Sequence, residues 1–333
     1  MQLPIGSAGS QVVGLGHFEP RDVVTNDDIA RLVDTNDEWI RARTGIVTRH
    51  LAAETETVAD MAVEAGRLAL ADATVEIDLV DLVIVATTTA TDRTPNTAGR
   101  VAHALGASAP AIIDINTACS GFCHALAIAD SAIRTGTATA ALVIASEKLS
   151  AVTDWTDRST CILTADGAGA MVVTASDAPR ISAVSWGSAA RMVDTVRIQA
   201  PTDRFEQDGQ SVFRWAISEA ATHARAVIER AGYTPDDIDV LAAHQANLRI
   251  IEPLAKKLGL EHKIVLTDVT ESGNTSAASI PLGLSKWWHA GRIPEDALTL
   301  LFGFGGGFAY AGQLIRTPIR RLTPRTATAL GRE

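Results

Sequence analysis

Aromatic residues make up only 5% of this 333-residue chain, and it contains just three cysteines. Three is an odd number, and nothing in the sequence indicates export, so the thiols are expected to stay reduced in a cytosol. The opening stretch, MQLPIGSAGS, has neither a basic start nor an apolar signal core. No apolar run approaches the ~20 residues that a bilayer crossing requires. Positive charge is also short: the formal net charge is −10, which argues against nucleic acid as a partner of the folded body. What remains is an Ala/Val-rich composition, 47% hydrophobic and 20% charged, that belongs to a globular chain. Its length allows two packed halves. A soluble cytoplasmic protein, without membrane or nucleic-acid partners, is expected.

Short Val/Ile runs alternate with helical patterns. LVDLVIVATTT (79–89) and PAIIDIN (110–116) flank a helical TAGRVAHALGA (97–107), and AALVIASE (140–147) follows a further helix that begins near Cys119. Such alternation argues for α/β units. Thr35 and Glu38 have capping-box spacing ahead of WIRAR, which Gly45 stops. The order of elements then recurs. VDLVIVATT (80–88) resembles IDVLAAHQA (238–246), HALGA matches KKLGL, IIDIN parallels VLTDV, and AALVIASE parallels ALTLLFGF. The offset drifts only from 153 (Leu105 to Leu258) to 158 (Asp81 to Asp239). A duplicated α/β half-domain with its two sheets packed together is the expected architecture. This spacing sets Cys119 opposite Asn274 at an offset of 155, and Ala86 opposite His244. Related strand ends can converge on one site between the halves, so the three residues have a geometric reason to meet.

DINTACSGFCHAL (114–126) holds two of the three cysteines. A cysteine at a helix start meets unpaired N–H groups and the positive end of the dipole, which lower its pKa from about 8.5. Thiolate is both a good nucleophile and a good leaving group, which suits thioester exchange. Buried filling is the competing role for Cys119. Cys123 and Cys161 read as core. No second Cys/His cluster has ligand spacing, so no metal is expected. His244 follows an apolar strand, and Asn247 is a candidate N-cap for the helix after it. Asn274 sits in a Gly/Ser-rich helix entry, where capping is its alternative role. Gly305, Gly306 and Gly307 clear side chains from a strand-end turn that can present an N–H to an oxyanion. The order Cys, His, Asn also suits a papain-like hydrolase, but Cys119 lies deep inside an α/β repeat rather than near an exported N-terminus.

TACSGF, HQANLRII, GNTSAAS and FGGGF together resemble the signatures of β-ketoacyl-acyl-carrier-protein synthase III, a family of the thiolase-fold superfamily. The likeness spans about residues 11–316 and includes VDTNDEWIRARTGI (33–46) and TDRSTCILTADGAGA (156–170). It implies a thiolase-like αβαβα fold, with an N-terminal half (1–175) carrying the cysteine, a C-terminal half (176–317) carrying His and Asn, and a disordered basic tail (318–333). It further implies that Cys119 takes an acyl group from acyl-CoA, while N–H groups of Cys119 and Gly306 hold the oxyanion. His244 and Asn274 would then bind the thioester carbonyl of malonyl-acyl-carrier protein as it loses CO2, beside Phe304. Trp39, Arg43, Arg158 and Asn247 match CoA-binding positions; Arg249, Lys256 and Lys257 match a patch for the acidic carrier protein. Thr94 matches the position at which one copy of a homodimer reaches into its partner's acyl pocket. No cofactor is implied, since acyl-CoA is a substrate. The residues from Ser182 to Gln210 depart from the family pattern and are expected to border that pocket; Pro253 is an unexpected residue that can bend its helix. Two other functions fit the fold: an acyltransferase that works without decarboxylation, for which Asn274 has no use, and a non-catalytic partner subunit, which has no need of Cys119.

Overall fold

The computed structural model describes residues 6–320. The first half contributes β1 (Gly9–Phe18), the ribbon strands β2 (Asp22–Thr25) and β3 (Thr48–Leu51), then β4 (Leu82–Ala86), β5 (Ala111–Ile115), β6 (Ala140–Lys148) and β7 (Asp166–Ser176). The second contributes β8 (Ser185–Ser188), the hairpin strands β9 (Val196–Gln199) and β10 (Arg204–Gln207), then β11 (Val240–Ala243), β12 (Ile264–Val265), β13 (Leu298–Phe304) and β14 (Ala309–Arg316). One five-stranded sheet has the order β5-β4-β6-β7-β1, and the other has the order β12-β11-β13-β14-β8. Replacing each strand by its counterpart turns one order into the other. In both sheets the first three strands are parallel and the last two antiparallel.

The duplication extends to single hydrogen bonds. Asp81 and Asp239 each precede a central strand; the Asp81 carboxylate accepts from Ala140 N–H and that of Asp239 from Leu298 N–H. Their backbone oxygens accept from Ala111 and Ile264, the first residues of β5 and β12. The helix entries match as well. Asn116 Oδ1 accepts from Ala118 N–H at 3.3 Å, and Asn274 Oδ1 from Ser276 N–H at 2.9 Å. Ala118 and Ser276 both have positive φ, +47° and +49°. Asn274 is therefore the counterpart of Asn116, and Cys119 that of Ala277, which corrects the expected pairing of Cys119 with Asn274. The pairing had followed chemical interest rather than the shared Asn-Thr, which lies at the same 158-residue spacing as Asp81 and Asp239.

The helices Gly121–Arg134 and Ser279–His289 form the middle layer between the sheets. Phe122, Leu126, Ile280 and Leu284 are fully buried there against residues of both sheets. Burial of each such side chain is worth roughly 1.5–3 kcal/mol. Val58–Ala73 and Thr97–Leu105 cover the outer face of one sheet, and Ala220–Arg230 and Leu248–Leu258 that of the other. Five layers result.

One local expectation changes. The helix Asp37–Thr44 is capped by Asn36, whose side chain accepts from Trp39 N–H, rather than by Thr35. Both residues can cap, and the chain turns one residue later. Pro253 lies inside the helix Leu248–Leu258. Of the expected tail, residues 318–320 are described, with the Arg320 guanidinium 4.5 Å over Trp288; the rest, from 321, lies outside the described residues.

The middle layer packs closely enough to demand glycine on β7. A Cβ on Gly169 would stand 2.2 Å from Leu282 N and 2.5 Å from Pro281 C, both backbone atoms. Gly169→Ala is expected to destabilise the protein by about 1–3 kcal/mol or more. Urea unfolding measures this, and an unchanged midpoint would count against the packing described.

Candidate active site

Cys119 stands where β5 passes into the middle-layer helix. A short 3₁₀ turn, Ala118–Ser120, precedes Gly121–Arg134, so the sulfur sits just ahead of the helix. Its surroundings come from both halves. The N–H groups of Gly306 and of Cys119 itself favour the charged form of the sulfur. The Ser276 hydroxyl approaches it at 3.6 Å. Gly305 packs so tightly beneath it that a Cβ there would lie 2.6 Å from the sulfur. Burial pushes the thiol up to about 11, and the hydrogen bonds from Ser276 and Gly306 only partly offset this. The expected lowering by the helix start is thereby reversed: removing the sulfur from water costs the thiolate more than the N–H groups return. Cys123 and Cys161 are buried filling, as expected.

Cys119 and Asn274 line one cavity of about 750 Å³, together with Ser276, Gly306 and Gly307. The β9–β10 hairpin closes part of its wall through Val196, Arg197, Ile198, Asp203 and Phe205. The expected contribution of 182–210 to this wall is therefore present. Asn274 Oδ1 is engaged by Ser276 N–H, which leaves the amide NH2 as the donor offered to the cavity.

His244 directly follows β11 and is not among the residues that line this cavity. Its N–H donates to Phe302 O across the sheet, and its ring stands edge-on to Phe304 at 6.1 Å. Phe304 also packs against Trp215, at 5.2 Å. His244 Nδ1 is 2.8 Å from Ser279 Oγ, which accepts from Gln245 N–H. With that acceptance made, the Ser279 hydroxyl proton is free to point at Nδ1. When it does, Nδ1 is the acceptor and the ring proton resides on Nε2. Burial lowers the His244 pKa to about 3, so the ring is neutral at physiological pH.

The remaining expected positions fall into groups. The guanidinium groups of Arg158 and Arg43 stand 4.9 and 5.5 Å from the centre of the Trp39 ring. Asn247 caps its helix through Arg249 N–H and also donates from Nδ2 to Arg43 O. These four residues are brought together but do not line the cavity. Arg249, Lys256 and Lys257 are exposed on the helix Leu248–Leu258. Arg249 stacks over Phe213 at 5.3 Å, and Lys257 Nζ donates to Ile217 O. Thr94 is exposed on the loop after β4, and its neighbour Arg93 touches the cavity. Sequence reasoning missed Ser276 and Glu147, although both lie in stretches it singled out. A glutamate ending the apolar run AALVIASE was the available signal.

Two like α/β halves back to back, with a cysteine starting the helix between them, define the thiolase-like class. A model of the 3-oxoacyl-[acyl-carrier-protein] synthase III family matches residues 113–190, and a model of that family's C-terminal part matches 228–317. The chain is 55% identical over 313 residues to the beta-ketoacyl-[acyl-carrier-protein] synthase III 2 of Streptomyces avermitilis, covering 93% of this chain and 99% of that one. Among solved structures, the priming β-ketosynthase of the R1128 polyketide pathway superposes with a TM-score of 0.93 at 38% identity, covering 96% of this chain and 99% of that one. The 3-oxoacyl-[acyl-carrier-protein] synthase III of Aquifex aeolicus gives 0.89 at 40% identity, over 92% and 100%. The chain belongs to the 3-oxoacyl-[acyl-carrier-protein] synthase III family and is a condensing enzyme of the acyltransferase class.

With its pKa depressed, His244 is expected to stay neutral, with the proton on Nε2, from pH 5 to 8. Long-range nitrogen–proton spectra of labelled protein report this. A titration step near 6.5 at His244 would contradict it.

Proposed function

We propose that the protein condenses an acyl-CoA primer with malonyl-acyl-carrier protein through an acyl-Cys119 intermediate, releasing CoA and CO2. The observation that carries this reading is that Cys119 shares one cavity with Asn274 and Gly306, with main-chain N–H groups of Cys119 and Gly306 that favour negative charge at the sulfur. When sulfur attacks a thioester carbonyl, the oxyanion forms beside that sulfur, within reach of the same donors. Collapse expels CoA and leaves the acyl group on Cys119.

Malonyl thioester then occupies the cavity. The Asn274 amide and His244 Nε2–H donate to its carbonyl oxygen, which becomes an enolate oxygen as CO2 departs. Neutral donors suit this step, since a cation would hold the carboxylate in an ion pair. The enolate carbon attacks the acyl-Cys119 carbonyl and frees the sulfur. Phe304 supplies an apolar surface that favours loss of the charged carboxylate as CO2. No cofactor enters.

Trp39 with Arg43 and Arg158 is the proposed seat of the CoA nucleotide: a ring for the adenine and two cations for phosphates, with Asn247 fixing the Arg43 backbone. Arg249, Lys256 and Lys257 are the proposed contact for an acidic carrier protein, a local positive face on a chain of net charge −10. A second copy of the chain is the proposed partner at β5, an edge strand exposing Ile112 and Ile113, and would bring Thr94 to the acyl pocket. Initiation of fatty acid or polyketide chains is the role this chemistry serves.

The test is mass analysis after acyl-CoA, then addition of malonyl-carrier protein with measurement of CO2 and β-ketoacyl product. An adduct on Cys119, discharged with CO2, is expected; discharge without CO2 would replace condensation by simple transfer. Asn274→Ala should still form the adduct but lose roughly 10²–10³-fold in condensation, and an equal loss in both half-reactions would contradict its role. The small Thr94 predicts turnover of isobutyryl-CoA and longer primers, and strict preference for acetyl-CoA would refute this.

A further inference from the structure

Glu147 is the penultimate residue of β6, has no exposed surface, and lies within the field of the Cys119 sulfur. Its carboxyl accepts from Thr89 Oγ1 at 2.7 Å, Thr88 N–H at 3.0 Å, and the hydroxyls of Thr87 and Thr88. Thr88 and Thr89 line the cavity, so the carboxyl stands directly behind its wall. The Ser276 hydroxyl lies near both groups: it stands close enough to Glu147 to favour the carboxylate and reaches Cys119 Sγ at 3.6 Å. Ser276 is held there by its left-handed backbone and by the turn that Asn274 Oδ1 closes. The hydroxyl that reaches the nucleophile thus belongs to one half, and the carboxyl behind it to the other.

We propose that Ser276 and Glu147 form a proton relay for Cys119, in which Ser276 exchanges the proton of the sulfur and Glu147 positions that hydroxyl and takes up the charge. This rests on the acyl-Cys119 reading above. As the sulfur bonds to the acyl carbonyl carbon, its proton passes to Ser276 Oγ while the Ser276 proton passes to the Glu147 carboxylate. When the carbonyl re-forms and the bond to the CoA sulfur breaks, the proton returns by the same route to the departing thiolate. Thiol and acyl-CoA give acyl-Cys119 and CoA thiol, with no proton gained or lost. Burial supports the assignment from both ends: it pushes the Cys119 thiol up to about 11 and holds the Glu147 carboxyl above the usual carboxylate range. Two anions so close disfavour one another, so the pair resists losing both protons. His244 is a poorer base for the sulfur, because burial lowers its pKa and its Nδ1 is engaged by Ser279.

The experiment compares wild type, Glu147→Gln, Ser276→Ala and the double variant at pH 7.5. It measures the rate of Cys119 acylation by acyl-CoA and, independently of substrate, the rate of its alkylation by iodoacetamide. Each single variant should slow both rates at least tenfold, with little change in the acyl-CoA concentration giving half the maximal rate. The double variant should be no slower than the slower single one, since both break one relay. A carboxylate that merely repels the thiolate gives the opposite sign, with faster alkylation in Glu147→Gln. Unchanged or faster alkylation in that variant, or multiplying losses in the double variant, would overturn the relay. Failure of wild type to acylate would instead count against the acyl-CoA reading, while alkylation still decides the relay. If Glu147→Gln does not fold, Ser276→Ala decides alone: undiminished alkylation overturns the proposal.

Discussion

Everything at the centre of this protein depends on how closely the turn after β13 approaches Cys119. Gly305 leaves no room for even one methyl group between that turn and the sulfur. The contact joins the two halves, since Cys119 lies just ahead of the middle helix of the first and Gly305 directly follows β13 of the second. It encloses the thiol and leaves the Gly306 N–H favouring its charged form. Enclosure has opposing effects. It strengthens every hydrogen bond offered to a developing charge, and it makes the free thiolate costly.

Duplication explains how such a junction arises. The same Asn-Thr turn opens both middle-layer helices, at 116–117 and 274–275. One copy leads into Cys119, and the other carries the Asn274 amide, which lines the same cavity. Likewise β4 and β11 are counterparts, and His244 stands where the first half has Ala86. Related but diverged turns thus bring a thiol from one half and an amide from the other to one cavity. Both helices are held by the same core, so the relative position of these groups is as rigid as the packing.

The sequence made the layer order and the duplication legible, because Val/Ile runs, helical patterns and the Asp81/Asp239 pair repeat at nearly constant spacing. Cys119 and Asn274 were legible together because each lies at the entry to a middle-layer helix, and both line one cavity, whereas His244, after β11, does not. The register between Cys119 and Asn274 was read three residues off, since chemical interest was aligned in place of the Asn-Thr pair. The cap at Asn36 was missed by one residue for want of the turn's dihedral angles. The raised pKa of Cys119 could not be read locally, because burial depends on both halves having folded. Ser276 and Glu147 were hidden for the same reason: 129 residues separate them, and only the junction places a hydroxyl between a carboxyl and a thiol.

The central claim is that the N–H groups of Cys119 and Gly306 are aimed at the carbonyl oxygen of an acyl group on Cys119. Isotope-edited infrared spectroscopy of the enzyme acylated with carbonyl-labelled substrate reads this directly. The thioester carbonyl stretch should fall below that of the same thioester free in water, as two preorganised donors polarise the bond. A stretch at or above the aqueous value would contradict the account.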